Sequence, residues 1–427
     1  MSKRILLISY VATMASTPNG RTMQSLLQGI PSKDISLFCC YGVPDVGSCA
    51  SCFKVSNKHA LKSIIMPSKS GEEIKTDEFG EAKTYILKDV RKGRKKAWKY
   101  LLKEFIWALG RWKNRKLKTW LRDQRADCIV FMYSDNAALQ SFAIYAANFL
   151  NIPLLVYSCE DYCLKDYNYI DERANSIAFK LYQHRSQKAT KKLFERANGL
   201  ITNADQLGAE YHKKYGIDNI STVMMASNMP FEEHSSVKPM EDLHIDYLGA
   251  IGKYRLQAFL DIGEALQDID PRLKLHIYGH IQDEEIRNQI DGCAGLEYKG
   301  FVTYEEVQSI MRSSALLIET ISDDPYIRRD KRFGFSTKYA DCFACGTPFL
   351  VYAPPDIIET RFALENNCAF VATCKNDLKQ IIQIALFDEM ARKKQISKAK
   401  EVTQKYFNKS KNILIVEDML NSICENK

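Results

Sequence analysis

Long apolar runs are missing from these 427 residues: Lys, Arg, Asp or Glu interrupts each hydrophobic stretch before the ~18 to 20 consecutive apolar residues a membrane-spanning helix requires. Glycine and proline are sparse, 20 and 12 in all, which excludes collagen-like and low-complexity architectures. Histidine is scarcer still, and the seven present show no metal-ligand spacing. What remains, 46% hydrophobic and 26% charged, is the composition of an ordinary globular chain. At roughly 100 to 200 residues per domain it is long enough for two or three cores without disulfide or metal staples. A lone binding module or disulfide knot is thereby excluded.

The 13 cysteines are odd in number and scattered, which argues for reduced thiols and a cytoplasmic location. Cys39-Cys40 with Cys49-x-x-Cys52 has a zinc-like spacing but lacks a second separated pair, and neighbours on a strand face opposite sides. No metal is expected.

Charge is unevenly placed. The whole chain carries a formal +8, yet residues 88–125 hold 15 Lys or Arg against three acids and contain all four tryptophans, Trp98, Trp107, Trp112 and Trp120. Within that segment Trp98, Leu101, Leu102, Phe105, Leu109 and Trp112 recur at helical spacing, with Lys95, Lys96, Lys99, Lys103, Lys113 and Arg115 largely outside the stripe. Three readings fit: a basic helix whose stripe is core, an interfacial helix on anionic lipid, or a nucleic-acid patch. Tryptophan mixed with Lys and Arg favours an anionic membrane surface over nucleic acid, because Trp suits the headgroup boundary.

Turn-bounded apolar runs alternate with helix-period stretches throughout. The first series is Ile5 to Ser9, Ile35 to Cys40, Cys128 to Met132, Leu154 to Tyr157, Gly199 to Thr202 and Ser221 to Met225. The second is His244 to Leu248, Leu273 to Tyr278, Leu296 to Tyr298, Ala315 to Glu319, Thr347 to Tyr352 and Cys368 to Val371. Between them Glu232 to Asp242 is polar and aperiodic and reads as a linker. The pattern predicts an α/β protein of two tandem doubly wound Rossmann-like domains, 1–230 and 243–400. The helices of 401–427 are expected to pack back toward the first domain.

In such sheets ligands bind beyond the carboxyl ends of the strands. The stretch Arg332-Phe-Gly-Phe-Ser-Thr-Lys-Tyr-Ala-Asp-Cys-Phe-Ala-Cys-Gly-Thr-Pro348 predicts a helix capped by Ser336 or Thr337 and stopped by Gly346. Its first turn offers amides, hydroxyls and Lys338 to a pyrophosphate, and Asp341 follows on the same face for a ribose diol. In the first domain Ser16-Thr-Pro-Asn19-Gly20-Arg21 reads as a loop ahead of a helix from about Thr22, placed to meet donor or acceptor. After Leu154 to Tyr157, Ser158-Cys-Glu160-Asp161 puts two acids at a strand end, where either could orient or deprotonate an acceptor hydroxyl; Asp161 is favoured, with Glu160 close behind.

The order Tyr247-Leu-Gly249-Ala-Ile-Gly252-Lys253-Tyr-Arg255, Leu275-His-Ile-Tyr-Gly279, Tyr298-Lys-Gly-Phe-Val302 and the Ser336 to Pro348 block resembles the donor domain of GT-B glycosyltransferases of the family 4 group, which build bacterial surface polysaccharides. The likeness covers about residues 243–375. It implies a GT-B fold with two domains facing a central cleft, and transfer of a hexose-type residue from a UDP- or GDP-linked sugar to a glycan acceptor, lipid-linked, at the inner face of the cytoplasmic membrane. The nucleotide sugar is a co-substrate, and no other cofactor is implied. By position, Gly249 and Gly252 let backbone approach the donor. Lys253, Arg255, Ser336, Thr337 and Lys338 meet the diphosphate, Val302 faces the base and Asp341 holds the ribose. Lys338 and Arg255 also stabilise the leaving group, whose β-phosphate gains charge.

One position departs. Many relatives carry two glutamates eight positions apart; the second aligns with Asp341, and the first with Phe333. Retention of anomeric configuration, which the resemblance implies, rests on that first acid. A nucleotide-sugar epimerase or a non-catalytic scaffold of the same fold are the rival readings.

Overall fold

Short β-branched and aromatic runs become the central strands, which are buried along nearly their whole length, whereas the edge strands Glu72–Ile74, Ile220–Thr222 and Leu296–Gly300 are partly exposed. The computed structural model describes residues 3–14, 17–75, 78–80, 96–171, 176–227, 229, 231–281 and 283–425. The chain divides into two packed units, residues 1–225 with 410–427, and residues 226–409.

The first unit runs β1 (Ile5–Val11), α1 (Pro18–Leu26), β2 (Ile35–Tyr41), β3 (Ser51–Lys54), α2 (Asn57–Lys62), β4 (Glu72–Ile74), α3 (Ala97–Leu109), α4 (Arg115–Asp123), β5 (Cys128–Met132), α5 (Ala137–Leu150), β6 (Leu154–Ser158), α6 (Ile177–Arg196), β7 (Gly199–Thr202), α7 (Asp205–Tyr215) and β8 (Ile220–Thr222). Its sheet order is β4-β3-β2-β1-β5-β6-β7-β8. The strands pair in parallel, for example Ile5 with Ile35 on one side and Cys128 on the other, except that β4 lies antiparallel to β3. The strands β3 and β4 escape the sequence reading because they are only four and three residues long.

The second unit runs β9 (Ile245–Leu248), α8 (Lys253–Ile269), β10 (Leu275–Tyr278), α9 (Glu284–Asp291), β11 (Leu296–Gly300), α10 (Tyr304–Ser313), β12 (Leu316–Thr320), α11 (Pro325–Lys331), α12 (Lys338–Ala344), β13 (Phe349–Tyr352), α13 (Ile358–Asn366), β14 (Phe370–Ala372), α14 (Lys375–Phe387) and α15 (Glu389–Tyr406). Its all-parallel sheet has the order β11-β10-β9-β12-β13-β14. This is the doubly wound order, whose direction of winding reverses between β9 and β12. In the first unit the same reversal falls between β1 and β5. The last helix, α16 (Lys409–Glu425), buries Val416, Met419, Leu420 and Ile423 in the first unit's core, and Asn412 Nδ2 donates to the Met224 carbonyl at 2.6 Å.

Three local outcomes differ from the sequence reading. Glu232 to Asp242 packs on the second unit instead of hanging between domains. The buried Arg392 guanidinium gathers this segment by donating to the carbonyls of Ser235 at 2.9 Å and Ser236 at 3.0 Å while also reaching Ala315 and Ala385. At Gly346, with φ +77°, a Cβ would lie 1.7 Å from the Glu232 carbonyl oxygen, so only glycine admits the crossing.

The helix expected from Thr22 starts four residues earlier, at Pro18. Thr17 caps it by accepting from the Gly20 amide at 3.1 Å, and Pro18 fills the first turn, where a missing N–H costs nothing. Asn19, Gly20 and Arg21 are therefore helical and not a loop.

The tryptophan stripe also splits. Of the 88–125 segment, residues 88–95 lie outside those described. α3 ends at Leu109, and Gly110 turns the chain so that Trp112 goes inward, edge-on to Trp107 at 5.1 Å, with its indole N–H on the Trp107 carbonyl at 3.0 Å. Trp107 and Trp120 are buried too, donating to Asn57 Oδ1 and Ser51 Oγ, both at 2.8 Å. Only Trp98 of the four is exposed, and it shares a face of α3 with Leu102, Phe105 and Leu109.

Candidate functional site

The second unit's reversal point collects the chemistry. Glu319, inside the carboxyl end of β12, is 2% exposed and forms ion pairs with both Arg255 of α8 and Lys338 of α12. Burial alone pushes its carboxyl up, but the Arg255 guanidinium and the Lys338 ammonium outweigh burial and hold it below the usual carboxylate range. Burial likewise opposes charge on Arg255, and Glu319 overrules it, so Arg255 stays a cation. One anion between two cations leaves the cluster net positive.

The ring of Tyr247, from β9, roofs both cations. Lys338 Nζ lies 4.4 Å and the Arg255 guanidinium 5.5 Å from its centroid, while its hydroxyl donates to the Ala250 carbonyl at 2.7 Å. Gly249, with φ +155°, begins the loop after β9. Its carbonyl sits where a Cβ on Gly279 would be, 1.9 Å away, so the loops after β9 and β10 approach each other only because residue 279 has no side chain. Gly252 is the N-cap of α8 and Lys253 is exposed in its first turn. Sequence reasoning placed Arg255 and Lys338 among the site residues and missed Glu319, which joins them. The available signal was a lone acid at the end of the apolar strand Leu316-Leu-Ile-Glu-Thr320.

Around α12 the residues are arranged differently from a simple free helix end. Thr337 is the N-cap but makes no side-chain cap bond, and the Ser336 amide donates to Glu359 Oε1 at 2.5 Å. Glu359, buried in α13, is pushed up to about 7, first by burial and then by the Glu319 charge. It is the second acid that sequence reading missed. Asp341 accepts from the Ser227 hydroxyl at 2.6 Å. Phe333 is buried against Arg332, whose guanidinium lies 5.0 Å from its ring. Val302 follows β11 half-buried, beside an exposed pair in which Phe301 stacks on His280 with centroids 4.4 Å apart and planes at 19°. The signal for that platform was an aromatic and a histidine just past two neighbouring strand ends.

In the first unit, Asp161 is buried and ion-paired with Lys165 at 3.4 Å. The neighbouring Glu160 is half-buried, and its carbonyl accepts from the Tyr211 and Ser158 hydroxyls. Both follow β6, one strand away from the reversal point. The reversal point itself carries residues the sequence did not single out. Asp135, beyond β5, accepts from the Tyr169 hydroxyl at 3.0 Å, and burial raises its carboxyl. Glu104 of α3 accepts from the Ala138 amide at 3.2 Å and is pushed up to about 7, mainly by burial. Lys103 donates to the Tyr10 hydroxyl at 2.7 Å. Asn19 and Arg21 are exposed on α1, and Gly20 is buried against Met14.

Among the described residues, no group of three or more His, Cys, Asp or Glu side chains is placed to hold a metal, and no helix is long and apolar enough to cross a membrane. No family model matches the sequence, and no curated protein matches it. Solved structures do match. Sucrose-phosphate synthase from Thermosynechococcus elongatus aligns over 99% of this chain and 99% of its own, with 13% identity and a TM-score of 0.63. Anabaena HepE, in complex with UDP and glucose, aligns over 98% and 100% with 12% identity and a TM-score of 0.61. The lipopolysaccharide outer core galactosyltransferase WaaB in its apo form aligns over 97% and 99% with 12% identity and a TM-score of 0.55. The fold is therefore that of the GT-B proteins, two Rossmann-like α/β units in one chain.

Proposed function

We propose that the chain is a glycosyltransferase that moves a hexose-type residue from a UDP- or GDP-linked sugar to a glycan acceptor carried on a lipid, while resting on the cytoplasmic face of the membrane. The observation that carries this reading is the net-positive Arg255–Glu319–Lys338 cluster at the second unit's reversal point. Cleaving a sugar from a nucleoside diphosphate develops negative charge on the β-phosphate, and cations fixed in advance by a buried carboxylate stabilise that charge without reorganising. Lys338, about one quarter exposed, is the member that reaches ligand, and Arg255 is held deeper behind it. Lys253, Thr337 and the loop from Gly249 to Gly252 complete the diphosphate cradle. Asp341 takes the ribose, and the base lies by Val302.

The acceptor hydroxyl belongs to the first unit, oriented by Asp161 and Glu160, with Asn19, Gly20 and Arg21 contributing from α1. Anabaena HepE in complex with UDP and glucose supports the donor class, and WaaB, a lipopolysaccharide galactosyltransferase, the acceptor class. With Phe333 where relatives keep an acid, retention of configuration is proposed on fold alone.

The test is a thermal-shift panel of UDP, GDP, ADP, CDP and CMP. A nucleotide at ~100 times its Kd stabilises by about 2.7 kcal/mol. The expected result is a shift by UDP or GDP that Lys338→Ala abolishes, followed by donor turnover only when lipid-linked acceptor is added. Donor conversion without acceptor indicates an epimerase. No shift with any nucleotide in a cooperatively melting sample overturns the reading.

A further inference from the structure

On the first unit, α3, α5 and α6 line a pocket of about 590 Å³ that borders this unit's reversal point, since Ala137 and Ala138 at the start of α5 are among its lining residues. Five cations line it, Arg111, Lys113, Arg185, Lys188 and Lys192, and no acid does. Trp107 and Trp112 are among its lining residues. Among the described residues none of the five cations forms an ion pair; the one acid that feels any of them is the buried Glu104, whose carboxyl the Arg185 guanidinium lowers from a distance, and Arg185 Nε is buried without a hydrogen-bond acceptor. Burial pulls the Lys113 ammonium below its usual value, as expected of a cation that lacks a counter-anion. Unpaired like charges held this close repel each other, and a multivalent anion would relieve that repulsion.

The same surface continues as an apolar ridge. Along α6, Ile177, Leu181, Arg185, Lys188 and Lys192 share one face, apolar in the first two turns and cationic after. The α3 stripe of Trp98, Leu102, Phe105 and Leu109 is 44 to 67% exposed, and Phe105 packs beneath the Arg185 guanidinium at 5.0 Å. Ridge and pocket therefore meet at the Phe105–Arg185 contact. An occupant with a phosphate at one end and hydrocarbon at the other matches this arrangement. A soluble phosphate leaves the ridge in water.

We propose that this pocket binds the phosphate headgroup of an anionic membrane lipid while the α3 and α6 ridge enters the headgroup boundary. This deepens, and rests on, the reading of the chain as a membrane-surface enzyme. It narrows a diffuse basic segment to a built site that keeps Arg111 and Lys113 of that segment and adds three cations from α6.

The test is co-sedimentation of the whole protein with vesicles of phosphatidylglycerol and phosphatidylcholine, against phosphatidylcholine alone. The wild type is expected to bind only the anionic vesicles, and excess inorganic pyrophosphate to displace it. Arg185→Ala/Lys188→Ala/Lys192→Ala is expected to bind on the order of 100-fold more weakly, at ~1 kcal/mol per basic residue near the surface. The charge-matched Lys33→Ala/Lys75→Ala/Lys213→Ala, in exposed lysines outside the pocket, should bind as wild type. Leu102→Ser/Phe105→Ser/Leu109→Ser should weaken vesicle binding while leaving calorimetric pyrophosphate binding intact. Thermal melts confirm that each variant is folded.

Wild-type binding that the pocket variant retains, or that both lysine sets lose equally, overturns the pocket and spares the membrane reading. No wild-type binding to either vesicle overturns both. Pocket-dependent binding of pyrophosphate, with vesicle binding that ignores the pocket, makes the occupant a soluble phosphate and overturns the lipid assignment.

Discussion

The two units share a doubly wound topology, and each places a buried glutamate near its reversal point, yet the two acids end in opposite states. Glu319 has a guanidinium and an ammonium bonded directly to its carboxylate and stays ionised in spite of burial. Glu104 has two cations nearby, the Lys103 ammonium, whose hydrogen bond goes to Tyr10 instead, and the Arg185 guanidinium, with the Asp135 charge opposing them; it is pushed up to about 7. Burial is similar in the two cases and two cations act on each acid, so it is their direct bonding to the carboxylate that decides the charge. The second unit is built as a fixed positive electrode, suited to a diphosphate. The first unit's reversal point holds Glu104, pushed up to about 7 so that it can be neutral or charged near neutral pH, beside the burial-raised carboxyl of Asp135, an arrangement suited to hydroxyl groups.

Breaking the electrode has the largest expected effect. Glu319→Ala leaves two cations facing each other under Tyr247, and removing one partner of a buried pair costs about 3–5 kcal/mol. Chemical denaturation should show that loss, and a change below 1 kcal/mol would mean the triad is solvent-relaxed. Lys338→Ala is milder for the fold, because Glu319 keeps Arg255. Its effect is expected on nucleotide affinity, where a lost charged hydrogen bond is worth roughly 1.5–3 kcal/mol. Isothermal titration with the responding diphosphate checks it, and unchanged affinity in both Lys338→Ala and Asp341→Ala would move the donor site elsewhere.

A third variant tests the raised acid beside the electrode. Glu359 titrates at about 7 when folded, against an ordinary glutamate value near 4.5. Between those values the folded chain holds a proton that the unfolded chain has released, so stability falls as pH rises from about 4.5 to 7 and stays lowered above. Glu359→Gln keeps an oxygen for the Ser336 amide and removes that fall. Its stability relative to wild type should therefore be greater at pH 8 than at pH 5, by on the order of 1–3 kcal/mol. Equal differences at both pH values would show that Glu359 ionises normally.

These sites were legible in the sequence to different degrees. The parallel sheets were readable because apolar strand runs and helical periods alternate; Lys338 was proposed from the capped-helix pattern of Arg332 to Pro348, and Arg255 and Gly249 from the resemblance to the GT-B donor domain. Glu319 was hidden inside a strand, where period-2 reasoning assigns a core position and cannot say what the buried carboxylate will meet. Glu359 is 23 residues from the amide it holds. The α3 stripe failed at Trp112 because a helical wheel continues through Gly110 and the chain does not. Arg392, in a helix rich in Lys, is fully buried on backbone carbonyls contributed in part by a segment more than 150 residues away, and nothing in its spacing marks it. Contacts of that kind are written in three dimensions and not in spacing.

The smallest effect sharpens the comparison from the other side. If nearby cations hold the carboxyl's state, removing the Lys103 ammonium near Glu104 should move it further from Glu319. Lys103→Met deletes a hydrogen bond to Tyr10, worth about 1 kcal/mol, and withdraws one of the charges that lowers Glu104. The folded pKa then rises above about 7, and the interval over which stability declines with pH lengthens at its upper end, since the unfolded value is unchanged. Wild type should show the Glu104 part of the decline ending near pH 7, and Lys103→Met should show it continuing higher. Carboxyl-carbon NMR titration of Glu104 reads the same shift directly. An unmoved midpoint would mean that the Lys103 charge is screened from Glu104 and that burial, the Ala138 amide, Asp135 and Arg185 set its state.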